Sequence, residues 1–213
     1  MQDDTGTNRI LTFPFVYSAF QTLVGASYGR RWILSDVWRV KPGMRIVDIG
    51  CGPGDIIDSL PDVQYIGLDV SEQYIADAKR RYGHRGTFVA GFAPALLDEP
   101  LAHGADLVTC TGVLHHLDDA QSLEIFDVAH KLLKPGGRFI AVEPTYLRHQ
   151  GAIARWLMSK DRGMAIRQES VWRQLAAKSR FGGAETNVLT GVLRIPYTHL
   201  VIECTKTDAT PLV

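Results

Sequence analysis

Val-Asp-Ile-Gly-Cys-Gly-Pro-Gly-Asp, residues 47 to 55, joins an apolar strand to a helix through a glycine-rich turn. The segment before the turn, Met44 to Ile49, is a short apolar run with one acid, Asp48, as in a strand buried on both faces. The segment after it, Asp55 to Leu60, has apolar residues at helical spacing. Glycines at such a junction permit unusual dihedrals and the close approach of a ligand. The stretch therefore predicts a nucleotide-type ligand site.

The composition predicts one soluble cytoplasmic domain that binds neither nucleic acid nor a membrane. The 213 residues are enough for one well-buried core, and a hydrophobic content of 46% is ordinary. Lys plus Arg and Asp plus Glu number 23 each, so no net field attracts a polyanion. Cys51, Cys110 and Cys204 lack disulfide or metal spacing, which is typical of a reducing compartment. The first residues lack a signal-peptide pattern, and no apolar run is long enough to span a bilayer.

Strand and helix patterns alternate along most of the chain. We predict a Rossmann-like, doubly wound α/β fold with a mostly parallel seven-stranded sheet and helices on both faces. Strands are predicted at Met44 to Ile49, Val63 to Val70, Thr87 to Ala90, Ala105 to Thr111 and Arg138 to Glu143, and helices at Asp55 to Leu60, Glu72 to Tyr82 and Ala120 to Leu133. Ala184 to Gly191 and Ile195 to Cys204 are predicted to form an antiparallel hairpin that ends the sheet.

The chain is expected to be a single domain, residues 1–213, with four regions. These are an N-terminal helical lid at 1–40, a cofactor-binding core at 41–145, a helical substrate-side insertion at 146–183 and the C-terminal hairpin at 184–205. Aromatic residues of the first region, among them Tyr17 and Tyr28, either pack in the core or close over the ligand.

The glycine spacing separates the classes of nucleotide cofactor. Dinucleotide dehydrogenases use Gly-x-Gly-x-x-Gly, whereas this loop reads Gly50-x-Gly52-x-Gly54 and has Asp55 where the third dehydrogenase glycine would stand. No Gly-Lys-Ser or Gly-Lys-Thr follows, which excludes a Walker loop. The next strand ends at Asp69, whose carboxylate can accept hydrogen bonds from both ribose hydroxyls. The alternative role for Asp69 is a helix cap, for which Ser71 is better placed.

Four segments in order resemble the class I S-adenosylmethionine-dependent methyltransferases of the small-molecule type. They are the glycine loop at 47–55, Gly-Leu-Asp-Val-Ser at 67–71, Asp-Leu-Val-Thr-Cys-Thr-Gly-Val-Leu-His-His-Leu at 106–117 and Lys-Pro-Gly-Gly-Arg-Phe at 134–139. The resemblance implies S-adenosylmethionine as methyl donor and S-adenosylhomocysteine as product. It covers Met44 to Cys204.

The resemblance also implies which residues bind the cofactor. Asp48 and the loop of Gly50, Cys51, Gly52 and Gly54 would hold the methionine part, Asp69 the ribose, and Val70 the adenine, with Thr111 and Gly112 at the sulfonium end. The family often has Gly-Asp-Ala after the third strand, but this chain reads Gly91-Phe92-Ala93 and lacks that acid. Phe92 either packs on the adenine ring, with backbone groups beside Ala93 binding its edge, or belongs to the core.

The expected acceptor is a small molecule, and a hydroxyl is favoured over an amine. A hydroxyl loses its proton as it attacks the methyl group, so a base helps, whereas an amine needs only to arrive uncharged. His116 and Tyr146 are the catalytic candidates, and His115 is an alternative base. Glu143 and His149 are expected to line the pocket after the fourth and fifth strands. A histidine here can also serve only to hold the loop, and Glu143 can be a loop anchor.

Several alternatives stay open at this point. The chain is either an O-methyltransferase of a sugar or natural product, an N-methyltransferase of a small amine, or a binding protein without catalysis; a nicotinamide oxidoreductase is disfavoured by Asp55. Basic residues around Asp161-Arg-Gly163, namely Arg155, Lys160, Arg162 and Arg167, either bind an anionic acceptor or form a solvated face. No residue pattern indicates zinc or magnesium, so we expect no metal. The oligomeric state is not indicated.

Overall fold

The computed structural model describes residues 32–147, 150–159, 166–190 and 198–207. Their strands are β1 (Arg45–Ile49), β2 (Gln64–Asp69), β3 (Gly86–Ala90), β4 (Ala105–Thr111), β5 (Leu133–Pro144), β6 (Glu185–Leu189) and β7 (His199–Thr205). Their α-helices are α1 (Glu72–Tyr82), α2 (Asp119–Leu132), α3 (Ala152–Met158) and α4 (Glu169–Lys178). A π-helix spans Ile33–Val37, and 3₁₀ helices span Asp55–Ser59, Ala93–Asp98, Pro100–Ala102 and Leu114–His116.

The seven strands form one sheet in the order β3-β2-β1-β4-β5-β7-β6. Strands β1 to β5 are parallel, and β7 is antiparallel to both β5 and β6. The strand order reverses between β1 and β4, the point at which open α/β sheets bind ligands beyond their carboxyl ends. The predicted doubly wound fold with an antiparallel C-terminal hairpin is confirmed.

Helices cover both faces of the sheet, because successive residues of each central strand point to opposite faces and most of them are apolar. In β1, Val47 and Ile49 face a core shared with α2 and α4, whereas Ile46 faces a second core shared with α1 and the π-helix. The polar exception is Asp48, which lies on the second face at the carboxyl end of the strand. The apolar core of β1 therefore extends to a buried acid near the carboxyl end of the strand.

Local signals account for most element ends. Ser71 caps α1, since its hydroxyl accepts from the Tyr74 N–H, and Asp118 with Gln121 forms a capping box at the start of α2. The predicted helix after the glycine loop is only a 3₁₀ turn, and the 3₁₀ helices at 93–98 and 100–102 were not predicted. Strand β5 starts at Leu133 rather than Arg138, because Leu133 already pairs with Ala105.

Some predictions lie outside the described residues. They are the N-terminal helical lid up to residue 31, the turn of the C-terminal hairpin and the side chains of Tyr17, Tyr28, His149, Lys160 and Arg162. None of the described helices is long and apolar enough to cross a membrane.

Candidate functional site

The glycine loop has three glycines in the left-handed conformation, and they serve two different purposes. Gly50, Gly52 and Gly54 have φ values of 81°, 55° and 78°, which side chains rarely adopt. A Cβ at Gly50 would lie 2.2 Å from Val113 Cγ2, and one at Gly54 would lie 3.1 Å from the Phe88 ring. A Cβ at Gly52 would meet nothing within 4 Å. Gly50 and Gly54 thus permit close packing, whereas Gly52 faces open space in which a ligand can approach the backbone.

Asp69 joins the loop to the start of α1. Its Oδ2 accepts from the Gly52 N–H at 2.9 Å, and its Oδ1 accepts from the Ser71 N–H at 2.8 Å. Each carboxylate oxygen has a second acceptor position. The half-buried Asp69 therefore combines loop support with capacity for two ligand hydroxyls.

Two apolar side chains lie exposed beside Asp69. Val70 is 62% exposed and Phe92 74% exposed, although large apolar residues usually avoid water. They follow the adjacent strand ends Asp69 and Ala90, which are register partners. The alternative that Phe92 belongs to the core is wrong, whereas Ala93 is buried in it. Exposed apolar groups on neighbouring strand ends suit the faces of a planar ring.

Asp48 lies beneath the loop rather than in the open crevice. It is 6% exposed, and its carboxylate accepts from Tyr65 Oη at 2.7 Å and from Thr109 Oγ1 at 2.9 Å. Burial raises the pKa of Asp48, and the two hydroxyl donors oppose that shift. Cys51 also turns inward, since a Cβ at Gly67 would lie 2.7 Å from its Sγ. Burial raises the pKa of the Cys51 thiol, so it is not an activated nucleophile.

The turn after β4 is held by a buried acid from β5. Glu143 is fully buried, and its two oxygens face four N–H groups. Oε1 accepts from the Val113 and Leu114 backbones at 3.0 and 2.9 Å. Oε2 accepts from the His115 backbone at 3.2 Å and from His115 Nδ1 at 2.6 Å. Because the carboxylate can only accept, Nδ1 carries the hydrogen and donates it to Oε2, and in the neutral imidazole Nε2 is then the acceptor nitrogen.

The two catalytic candidates from the sequence occupy neighbouring strand ends. His116 is exposed, and its ring centroid lies 4.0 Å from that of the buried His115. Tyr146 is half-buried after β5, and the Arg155 guanidinium lies 5.9 Å from its ring centroid. Thr111 is exposed at the end of β4. Glu143 is the loop anchor that the sequence offered as its alternative role.

Sequence reasoning did not separate the two histidines, and it missed the role of Arg167. His115, rather than His116, contacts Glu143; a lone acid in the apolar run 139–143 was the available signal. Arg167 is 8% exposed and donates to Leu114 O at 3.1 Å and Leu117 O at 2.7 Å, so it belongs neither to an anion site nor to a solvated face. Among the described residues, no group of three or more His, Cys, Asp or Glu is placed to hold a metal ion.

The fold is that of a doubly wound domain, and the groups at the carboxyl ends of β1, β2 and β4 suit a nucleotide-type cofactor. Residues 47–139 match a family model described as a methyltransferase domain. With the comparisons below, this match supports a class I S-adenosylmethionine-dependent methyltransferase domain in this part of the chain.

Curated relatives and a solved structure agree with that family. The chain is 30% identical to an uncharacterized methyltransferase of Synechocystis, over 62% of this chain and 63% of the relative. It is 32% identical to a ubiquinone biosynthesis O-methyltransferase of Vibrio cholerae, over 45% of this chain and 40% of the relative. A geranyl diphosphate C-methyltransferase from Streptomyces coelicolor, solved with S-adenosyl-L-homocysteine, shares the fold at a TM-score of 0.62 and 14% identity, over 85% and 76% of the two chains. The chain spans less than two thirds of both curated relatives.

Proposed function

We propose that this protein is an S-adenosylmethionine-dependent methyltransferase that acts on a hydroxyl group of a small molecule in the cytoplasm. The observation that carries the hydroxyl assignment is the 2.6 Å contact between His115 Nδ1 and Glu143, which orients an imidazole base. The Vibrio relative, named for O-methylation, supports the same acceptor class. The balanced charge of the chain supports a small molecule over a nucleic acid.

The described residues fit the cofactor part by part. Asp69 has acceptor capacity for the ribose hydroxyls, and Val70 and Phe92 offer exposed apolar surfaces for the adenine faces. The open side of Gly52 admits the methionine part, and Asp48 supports this loop from below through β2 and β4. Bound S-adenosylmethionine supplies a methyl group on a positively charged sulfur and leaves as S-adenosylhomocysteine.

The proposed role of His115 is to take the acceptor proton as the oxygen attacks the methyl carbon. Its Cε1 is 4.0 Å from the Cβ position of Gly112, so the imidazole lies next to the end of β4. Glu143 keeps the proton on Nδ1 and stabilises the imidazolium that forms. We propose His115 as the base in preference to His116, and leave Tyr146 as a pocket residue.

Binding and turnover are tested separately. Calorimetry is expected to detect the binding of S-adenosylmethionine and of S-adenosylhomocysteine, but no binding of NAD. Mass spectrometry is then expected to find the gain of one methyl group on a hydroxyl acceptor in a screen of catechol, glucose and an alkylamine. Methylation of the amine alone would support the N-methyltransferase. Cofactor binding without any product would support the non-catalytic alternative, and NAD binding alone would contradict the proposal. Activity that is lost in chelator and restored by magnesium would contradict metal independence.

Two matched histidine variants test the base. We expect His115→Gln to lower kcat by about 10²–10⁴-fold with cofactor affinity retained, because general base catalysis contributes that much. His116→Gln, which removes the neighbouring exposed imidazole, is expected to have a smaller effect. Full turnover of His115→Gln with bound acceptor would remove His115 from the mechanism.

A further inference from the structure

The turn that carries both histidines is a single 3₁₀ turn, Leu114–His116, which is too short to be stable alone. Glu143 accepts from the N–H groups of residues 113, 114 and 115 at its start. The Leu114 carbonyl of this turn accepts from the Leu117 N–H at 3.1 Å, and the Leu117 carbonyl follows the end of the turn.

Arg167, just before α4, donates to both of these carbonyls. Its Nη1 donates to Leu114 O at 3.1 Å and its Nη2 donates to Leu117 O at 2.7 Å. Its Nε donates to Asp119 Oδ1 at 2.9 Å, at the start of α2. An acid at the N-terminal end of the turn and a cation at the C-terminal end both suit its dipole.

The Arg167 guanidinium is itself fixed in place. Its Cζ lies 4.7 Å from the ring centroid of the buried Trp172 in α4. The Arg167 carbonyl accepts from the buried Thr145 Oγ1 at 3.1 Å, two residues beyond Glu143. A fixed planar fork that binds two carbonyls constrains the orientation of the turn as well as its position.

We infer that Arg167 is a positioning residue for methyl transfer: it holds the turn so that His115 keeps its contact with Glu143 and faces the end of β4. Because Arg167 directly precedes α4, it also connects this helix to the turn that carries His115. This inference rests on the proposed function for its catalytic consequence, but not for the orientation of the imidazole.

The test compares Arg167→Lys, which keeps the positive charge but loses the planar guanidinium, with the original protein and with Arg173→Lys. Arg173 lies on α4 in an exposed pair with Glu169, so it is a matched control. Nuclear magnetic resonance on protein with isotope-labelled histidine reports which ring nitrogen of His115 carries the proton. We expect one Nδ1–H form in the original protein and in Arg173→Lys, and a mixture of both forms in Arg167→Lys.

Folding and cofactor binding are measured on the same samples, by thermal unfolding and by calorimetry with S-adenosylhomocysteine, and both are expected to be retained. If Arg167→Lys does not fold, Asp119→Asn replaces it, because it removes the 65% exposed carboxylate partner without altering the core. A smaller change of the same kind is then expected. Histidine signals identical to the original in the folded Arg167→Lys, or otherwise in Asp119→Asn, would overturn the inference.

If catechol is methylated in the acceptor screen, kcat for catechol should fall about 100-fold in Arg167→Lys, as for a misplaced catalytic group, while KM for S-adenosylmethionine stays constant. Unchanged kcat would overturn the inference. Absence of any methylated acceptor counts against the proposed function, and the imidazole signals then decide the role of Arg167 alone.

Discussion

Replacing Gly50 by alanine is expected to destabilise the protein through two separable costs. A side chain in the left-handed conformation at a φ of 81° costs about 1–2 kcal/mol. The new Cβ would also lie 2.2 Å from Val113 Cγ2, and relief of such a collision in a packed region costs about 1–3 kcal/mol. Val113 is β-branched, so it has few other rotamers to adopt. We therefore expect Gly50→Ala to lower the free energy of unfolding by about 2–5 kcal/mol.

Gly52→Ala is the matched control, because Gly52 has a φ of 55° but no neighbour within 4 Å of a Cβ. It should lose only the conformational cost of about 1–2 kcal/mol, while binding S-adenosylhomocysteine more weakly because the Cβ enters the ligand space. Urea unfolding monitored by circular dichroism and calorimetry measure the two effects. In Gly50→Ala with Val113→Ala, removal of the colliding methyl groups should recover about 1–3 kcal/mol relative to the sum of the single variants. Equal stability losses for Gly50→Ala and Gly52→Ala, or no recovery, would refute the collision.

Three further outcomes follow from the same site. Phe92→Ala should leave stability within about 0.5 kcal/mol, because Phe92 is 74% exposed, and should weaken S-adenosylhomocysteine by about 5–100-fold through lost stacking, measured by calorimetry with Leu101→Ala as exposed control. Asp69→Asn should weaken the same ligand by about tenfold or more, since charge-assisted hydrogen bonds to the ribose are lost; unchanged affinity would contradict the ribose role. The pKa of Asp48 is raised in the folded state, so the unfolded chain releases this proton first as pH rises. Stability relative to Asp48→Asn should therefore be greatest at acid pH and fall as pH rises from 3.8, the ordinary pKa of an aspartate carboxyl, through the raised pKa, as followed by urea unfolding.

The sequence predicted the parts of the site that lie at strand ends. The apolar run of β2 predicts both ends of the strand to within one residue, so Asp69 and Val70 could be placed beside the glycine loop before any coordinates. Phe92 was ambiguous because an aromatic residue after a strand suits either a core or a ligand, and only its exposure decides. The choice between two adjacent histidines depends on the twist of one turn, which residue types do not encode.

Arg167 could not be predicted for a different reason. Its partner Leu117 lies 50 positions away in sequence, and the bond is made to a backbone carbonyl that every residue possesses. The sequence therefore does not distinguish an arginine on the surface from a buried arginine that donates to backbone carbonyls. Its proximity to other basic residues indicated an anion site instead.

The turn after β4 joins three parts of the proposed reaction. Val113 packs against Gly50 of the glycine loop, Glu143 orients His115, and Arg167 connects the turn to α4. Removing either buried charge leaves backbone groups of the turn without partners, so each single change acts on the whole turn rather than on one contact. Gly50→Ala and Arg167→Lys alter opposite sides of this element and share it as their common neighbour. Their effects on the orientation of His115 should therefore not be additive. The free-energy change caused by either variant should be additive with that of Phe92→Ala, which lies at a different strand end.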